Sequence, residues 1–138
     1  MNILYSTTAT ATGDGRNGHT ATEDGMVDVD VRTPPELGGP GGATNPEQLF
    51  AAGYAACFHS AMKLVAKSME VDATDSAVSV TVGLGTLEGG AFNLALEIVV
   101  DVPNGSPEQA QALVERAHEV CPYSNATRGN VDVTLGII

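Results

Sequence analysis

Two residues in this chain of 138 stand out for their chemistry, its only cysteines, Cys57 and Cys121. Cys57 lies in the middle of NPEQLFAAGYAACFHSAMKLVA, which runs from Asn45 to Ala66, and Cys121 lies in HEVCPYSNATRGN. A pair of thiols can act as attacker and resolver. One attacks a peroxide and becomes a sulfenic acid, and the other condenses with it to a disulfide. Cys121 precedes Pro122 at a helix end, the wrong pole of the dipole for lowering a thiol pKa, so the attacking role falls to Cys57. Apolar surroundings raise a thiol pKa, so a reactive Cys57 needs a cation. Basic residues are few (Arg16, Arg32, Lys63, Lys67, Arg116 and Arg128), and Arg16, in a tight hairpin, is the candidate.

Other readings of the cysteines stand beside this one. A lone mid-helix cysteine is ordinarily an inert buried hydrophobe. A structural disulfide would close a loop of roughly 65 residues and stabilise by roughly 4 kcal/mol in the chain-entropy model. A metal site would use Cys57, His59, His118 and Cys121. Residues two apart on a helix point in nearly opposite directions, however, so Cys57 and His59 do not easily share one ion.

Length sets one ordinary domain, residues 1–138, with enough chain for a real core. The net charge of −11 argues against nucleic acid or an anionic membrane as partner, since either needs a basic face. The opening MNILYSTTATATG has neither the basic region nor the apolar run of a signal peptide. That points to the cytoplasm, where a disulfide is more often catalytic than structural. The run from Leu49 to Ala66 approaches membrane-spanning length, but it contains His59, Ser60 and Lys63 and reads as a buried core helix.

Several elements must position the cysteines. Residues 2–12 and His19–Glu23 read as two strands joined by the turn GDGRNG. Val27, Val29 and Val31 alternate with Asp28 and Asp30 in a third strand. Residues 33–44, TPPELGGPGGAT, form a loop that, with Phe50, is expected to wall the site. Asn45, Pro46 and Gln48 mark a helix start with a capping box, and the helix should run to about Ser68. Phe50, Tyr54, Ala61 and Leu64 are expected beside Cys57. The small residues Ala52, Gly53, Ala56, Ser60 and Ala61 would let another helix come close. Residues 76–88 and 91–102 make a long hairpin around Gly89-Gly90. Ser106-Pro107-Glu108-Gln109 starts a second helix, which ends at Pro122, and residues 131–138 close the chain as a strand. Hairpin-joined strands point to an α+β class with antiparallel sheet and not to a βαβ array.

The stretches NPEQLFAAGYAACF, AHEVCPYSNATRGN, LYSTTATATGDGRNG and PPELGGPGG are similar to those of the organic hydroperoxide resistance (Ohr) branch of the OsmC/Ohr family. Where that family typically reads GGRDG in the first hairpin, this chain has GDGRNG. The resemblance implies an OsmC-like fold, with antiparallel sheets packed around long central helices in an intertwined homodimer. It implies a cytoplasmic thiol-dependent peroxidase that reduces organic hydroperoxides, fatty-acid hydroperoxides included, to alcohols. Dihydrolipoamide or a lipoylated protein would be the reductant, and no metal or cofactor would be needed. The peroxidatic cysteine falls on Cys57, the resolving cysteine on Cys121, the catalytic arginine on Arg16 and its carboxylate partner on Glu47. The alternative is a protein of the same fold that binds a small apolar ligand while its cysteines stay idle. Glu47 and Cys57 are ten residues apart on one helix. That spacing is about 15 Å of rise. One arginine does not span that distance, so the Glu47 that pairs with a given Arg16 is expected from the other subunit.

Overall fold

The computed structural model describes all residues, Met1 to Ile138. The chain divides into two compact units, Met1–Leu49 and Phe50–Ile138, with the boundary in the first turn of the long helix.

The first unit is an antiparallel sheet, β1 (Ala9–Thr12), β2 (His19–Thr22) and β3 (Asp28–Asp30), in that order. Its first strand is shorter than the sequence suggests. β2 offers partners only between Thr22 and His19, and strand geometry ends where the ladder ends, just past the Glu23 N–H to Thr8 carbonyl bond. The β1–β2 turn is a tight 3-10 helical turn, Gly15–Asn17. It closes at Gly18, where a Cβ would lie 2.2 Å from the Thr12 carbonyl oxygen, so only glycine fits. The loop that follows β3 is held to this turn: Asn17 Oδ1 accepts from the Thr33 N–H, and Arg32 Nη1 donates to the Gly18 carbonyl. Val31 is the unit's one buried apolar side chain.

The second unit holds most of the core. The long helix α1 (Pro46–Met69) begins where its capping residues place it. Asn45 Oδ1 accepts from the Gln48 N–H, which satisfies one orphan donor of the first turn. The box is only half formed, because the Gln48 side chain accepts from the Thr44 hydroxyl and does not return to the Asn45 backbone. α1 has the length and apolarity of a membrane-crossing helix. Its inward face, Tyr54, Phe58 and Met62, is wholly buried in the core. Burial of that kind contributes about 2 kcal/mol per side chain. Ala52, Ala56 and Ser60 face outward, and so does Leu64, at 71% exposure. Gly53 serves a contact within the unit: a Cβ there would sit 3.1 Å from the Tyr123 hydroxyl.

A hairpin of β4 (Ala77–Thr86) and β5 (Phe92–Asp101) carries Leu96, Ile98 and Val100 into the core. The α2 helix (Pro107–Val120) starts at a complete capping box between Ser106 and Gln109, and buries Ala110, Leu113, Val114 and Ala117. Pro122 ends it, as expected, but the same proline also opens a short helix, α3 (Pro122–Thr127). The closing strand, β6 (Asp132–Ile137), pairs with β5 in parallel. The class is α+β, but this second sheet is mixed and not wholly antiparallel. Between β5 and β6 the chain runs through α2 and α3, long enough for the crossover that parallel pairing requires.

A polar cluster sits inside this apolar core. The Tyr54 hydroxyl is 2.8 Å from Ser124 Oγ and 3.3 Å from Thr127 Oγ1, and Ser124 Oγ is also 2.8 Å from His118 Nδ1. Every buried side-chain polar atom in the protein has a partner.

Candidate functional site

The structure brings the four residues singled out in the sequence together as two pairs, one in each unit.

In the second unit, Cys57 and Cys121 are free thiols with their sulfurs 3.9 Å apart. Cys57 is presented from the middle of α1 and is half-buried. Cys121 is fully buried at the corner between α2 and α3, in extended conformation, and is both the C-cap of one helix and the N-cap of the other. Burial pushes the Cys57 thiol pKa up, and the neighbouring Cys121 adds to that. A backbone N–H at Tyr123, in the first turn of α3, pulls the other way. None of the groups that shift Cys57 is a cation. Only a small local movement separates these sulfurs from bonding distance, since a disulfide spans about 2 Å.

In the first unit, Arg16 and Glu47 form a bidentate ion pair, Nη1 to Oε2 at 2.8 Å and Nη2 to Oε1 at 2.6 Å. The fork of the guanidinium matches the two carboxylate oxygens, which makes such pairs both strong and oriented. The hydrogen bond from Arg16 holds the Glu47 carboxyl below the usual value, against a smaller opposing effect of burial. The same bond raises the guanidinium. This corrects the expectation that Glu47 takes its arginine from another subunit, since both partners belong to one chain. The tight 3-10 turn points Arg16 toward the start of α1, where Glu47 stands in the first turn. Two of the five guanidinium donors are spent on Glu47, which leaves the others free for an anion.

Beside the thiols lies an aromatic cluster, of which the sequence marked Phe50 and Tyr54 but not Tyr123. Phe50, Tyr54 and Tyr123 have ring centroids 5.4 to 6.0 Å apart. Phe50, Leu94, Tyr123 and Val131 are among the residues lining an open groove of about 510 Å³. The side chain of Tyr123 lines this groove, while its backbone N–H is the one acting on Cys57. The signal was Gly53, whose missing side chain makes room for Tyr123. His59, offered with Cys57 as a metal ligand, instead hydrogen-bonds Ser76 Oγ at 3.1 Å, and no cluster of three or more metal-ligating side chains is present.

Two sheets, a long apolar helix and a thiol pair between that helix and the α2–α3 corner define the class. Residues 39–136 match the model of the OsmC-like protein family, and the chain belongs to that family. Within it, the chain is 51% identical over 135 residues to the organic hydroperoxide resistance protein of Xanthomonas axonopodis pv. citri, covering 96% of this chain and 94% of that one. It is 47% identical over 133 residues to the organic hydroperoxide resistance protein OhrB of Bacillus subtilis, covering 96% of each. Among solved structures, an organic hydroperoxide resistance protein of Legionella pneumophila matches with a TM-score of 0.94 and 50% identity, covering 99% of this chain and 98% of that one.

Proposed function

We propose that this protein is a cytoplasmic thiol peroxidase that reduces organic hydroperoxides, fatty-acid hydroperoxides included, to alcohols. The observation that carries the reading is the pair of free thiols, Cys57 half-buried and Cys121 buried, with sulfurs 3.9 Å apart. The names of the relatives point to the same substrate class.

The Cys57 thiolate attacks the terminal peroxide oxygen. The O–O bond breaks, the alkoxide leaves and takes up a proton as the alcohol, and Cys57 is left as a sulfenic acid. The Cys121 sulfur then attacks the Cys57 sulfur. The S–O bond breaks, hydroxide leaves with the thiol proton as water, and the disulfide forms. A dithiol reopens it by exchange, and dihydrolipoamide or a lipoylated protein takes that role here. Burial raises the Cys57 pKa, so the thiolate needs a cation, and Arg16 supplies it with the donors that Glu47 leaves free. The chelating carboxylate fixes the plane of the guanidinium, which a lysine could not reproduce. The groove beside Tyr123 offers an apolar wall to the organic part of the substrate. The protein acts as a homodimer.

Stopped-flow mixing with cumene hydroperoxide and dihydrolipoamide tests the reading. Wild type turns over many times and Cys57→Ser not at all. Cys121→Ser consumes one equivalent of peroxide and stalls. Multiple turnover by Cys57→Ser would overturn the mechanism. A wild type that binds the hydroperoxide without reducing it would make the protein a binder with idle cysteines.

A further inference from the structure

We propose that Ser124, held between the Tyr54 hydroxyl and the His118 imidazole, is a positioning residue for the resolving step. The proposal rests on the reading of Cys57 as attacker and Cys121 as resolver.

Cys121 stands midway between His118 and Ser124, three residues from each. His118 Nδ1 and Ser124 Oγ are 2.8 Å apart, so one hydrogen bond spans the corner whose apex is the cysteine. Arg128 spans it a second time, donating from Nη2 to the His118 carbonyl oxygen. The corner is then fastened to α1: the Tyr54 hydroxyl is 2.8 Å from Ser124 Oγ and 3.3 Å from Thr127 Oγ1. Tyr54 is three residues before Cys57, on the same side of α1. Ser124 Oγ is thus the one atom bonded both to the helix that carries Cys57 and to the helix that delivers Cys121.

Tyr54 and Ser124 are fully buried, in a core that is otherwise apolar. Apolar side chains of the same shape can replace such a network at little or no cost in stability. What a fully satisfied polar network adds is one defined arrangement of the elements it joins. The resolving step is sensitive to arrangement. The Cys121 sulfur must reach the Cys57 sulfur along the line of the breaking S–O bond before a second hydroperoxide does. That competing attack would oxidise the sulfenic acid to a sulfinic acid and release a second alcohol. Attack on the first hydroperoxide makes no such demand on Cys121.

The test separates the two steps in full-length protein. Ser124→Ala removes the shared hydroxyl, and Tyr54→Phe, which keeps the ring, is the second variant should the first not fold. Each is mixed with one equivalent of cumene hydroperoxide, and peroxide loss and disulfide closure are followed separately by rapid quench and mass spectrometry. Peroxide consumption is expected to stay within about twofold of wild type. Closure is expected to slow about tenfold or more, since a misplacement of about 1 Å costs up to about 100-fold in an oriented reaction. Under excess hydroperoxide, the sulfinic fraction at Cys57 should rise. Closure at the wild-type rate in a folded variant overturns the proposal, and so does equal slowing of both steps, which would mark a general structural role. A wild type that never closes the Cys57–Cys121 disulfide instead sinks the peroxidase reading on which the proposal stands.

Discussion

At the scale of single residues, the proposed chemistry turns on how a half-buried thiol is ionised. Burial raises the Cys57 pKa, Cys121 raises it further, and only the Tyr123 N–H opposes them. Without a cation the thiolate is scarce at neutral pH. Arg16→Ala should therefore move the alkylation of Cys57 by iodoacetamide to higher pH. A pKa higher by one lowers the thiolate fraction at neutral pH about tenfold. Arg16→Lys should restore little of it, because an ammonium does not match the two Glu47 oxygens. An unmoved profile in Arg16→Ala would remove Arg16 from the mechanism. Glu47 is displaced in the opposite direction. Its folded-state pKa lies below the ordinary 4.5, so its pairing contributes fully above that value and is lost as pH falls through the lower one. The stability gap between wild type and Glu47→Gln should accordingly close in acid, as read by urea melts across that range. A gap independent of pH would mean that the ion pair is not its source.

At the scale of elements, the helix starts govern the positions of the site residues. Asn45 caps α1 just ahead of Glu47, and Ser106 caps α2 with both bonds of its box. Asn45→Ala and Ser106→Ala should each cost about 1 kcal/mol in urea unfolding, with Asn45→Asp close to neutral. Equal midpoints for wild type and Ser106→Ala would show that tertiary packing alone sets the start of α2. These caps were legible in the sequence because a cap is local chemistry, written within four residues. So was the period-two pattern of β4 and β5. The parallel pairing of β6 was not legible, because strand direction is decided by the α2–α3 crossover and leaves no trace in the strand's own residues. Nor was α3, since six residues are too few to show a helical period and Pro122 looks the same as a stop or a start. The first strand was overread because Ile3, Leu4 and Tyr5 have strand character but no partner strand within the chain. Cys57 and Cys121 are 64 residues apart, and Arg16 and Glu47 are 31 apart. No spacing rule links such pairs. They were reached through the motifs around them, and the in-chain ion pair went against the expectation built on helix rise alone.

At the scale of the whole molecule, a single chain leaves apolar surface uncovered. Ile3, Leu4, Tyr5 and Met26 are each at least 67% exposed, and the first unit buries only one apolar side chain, Val31. Too little is buried there for that unit to be stable by itself. On the outer side of α1, Ala52, Ala56, Ser60 and Leu64 form a stripe at four-residue spacing, open to close approach by another helix. Both features fit the proposed homodimer. Its consequence for the site follows from α1. The ten residues of helix between Glu47 and Cys57 amount to about 15 Å along the axis. Arg16 is chelated by the Glu47 of its own chain. On the proposed dimer reading, an arginine anchored at the helix start serves the thiol of the partner chain, and the proposed active site draws Arg16 and Glu47 from one subunit and Cys57 and Cys121 from the other. Mixed dimers of Arg16→Ala with Cys57→Ser test this directly. Across subunits, one of the two sites in the mixed dimer carries both lesions and the other carries none, so each mixed dimer regains about half the wild-type activity although Cys57→Ser has none and Arg16→Ala only a small fraction. Within one subunit, both sites carry a lesion and the mixture never exceeds the activity of Arg16→Ala alone.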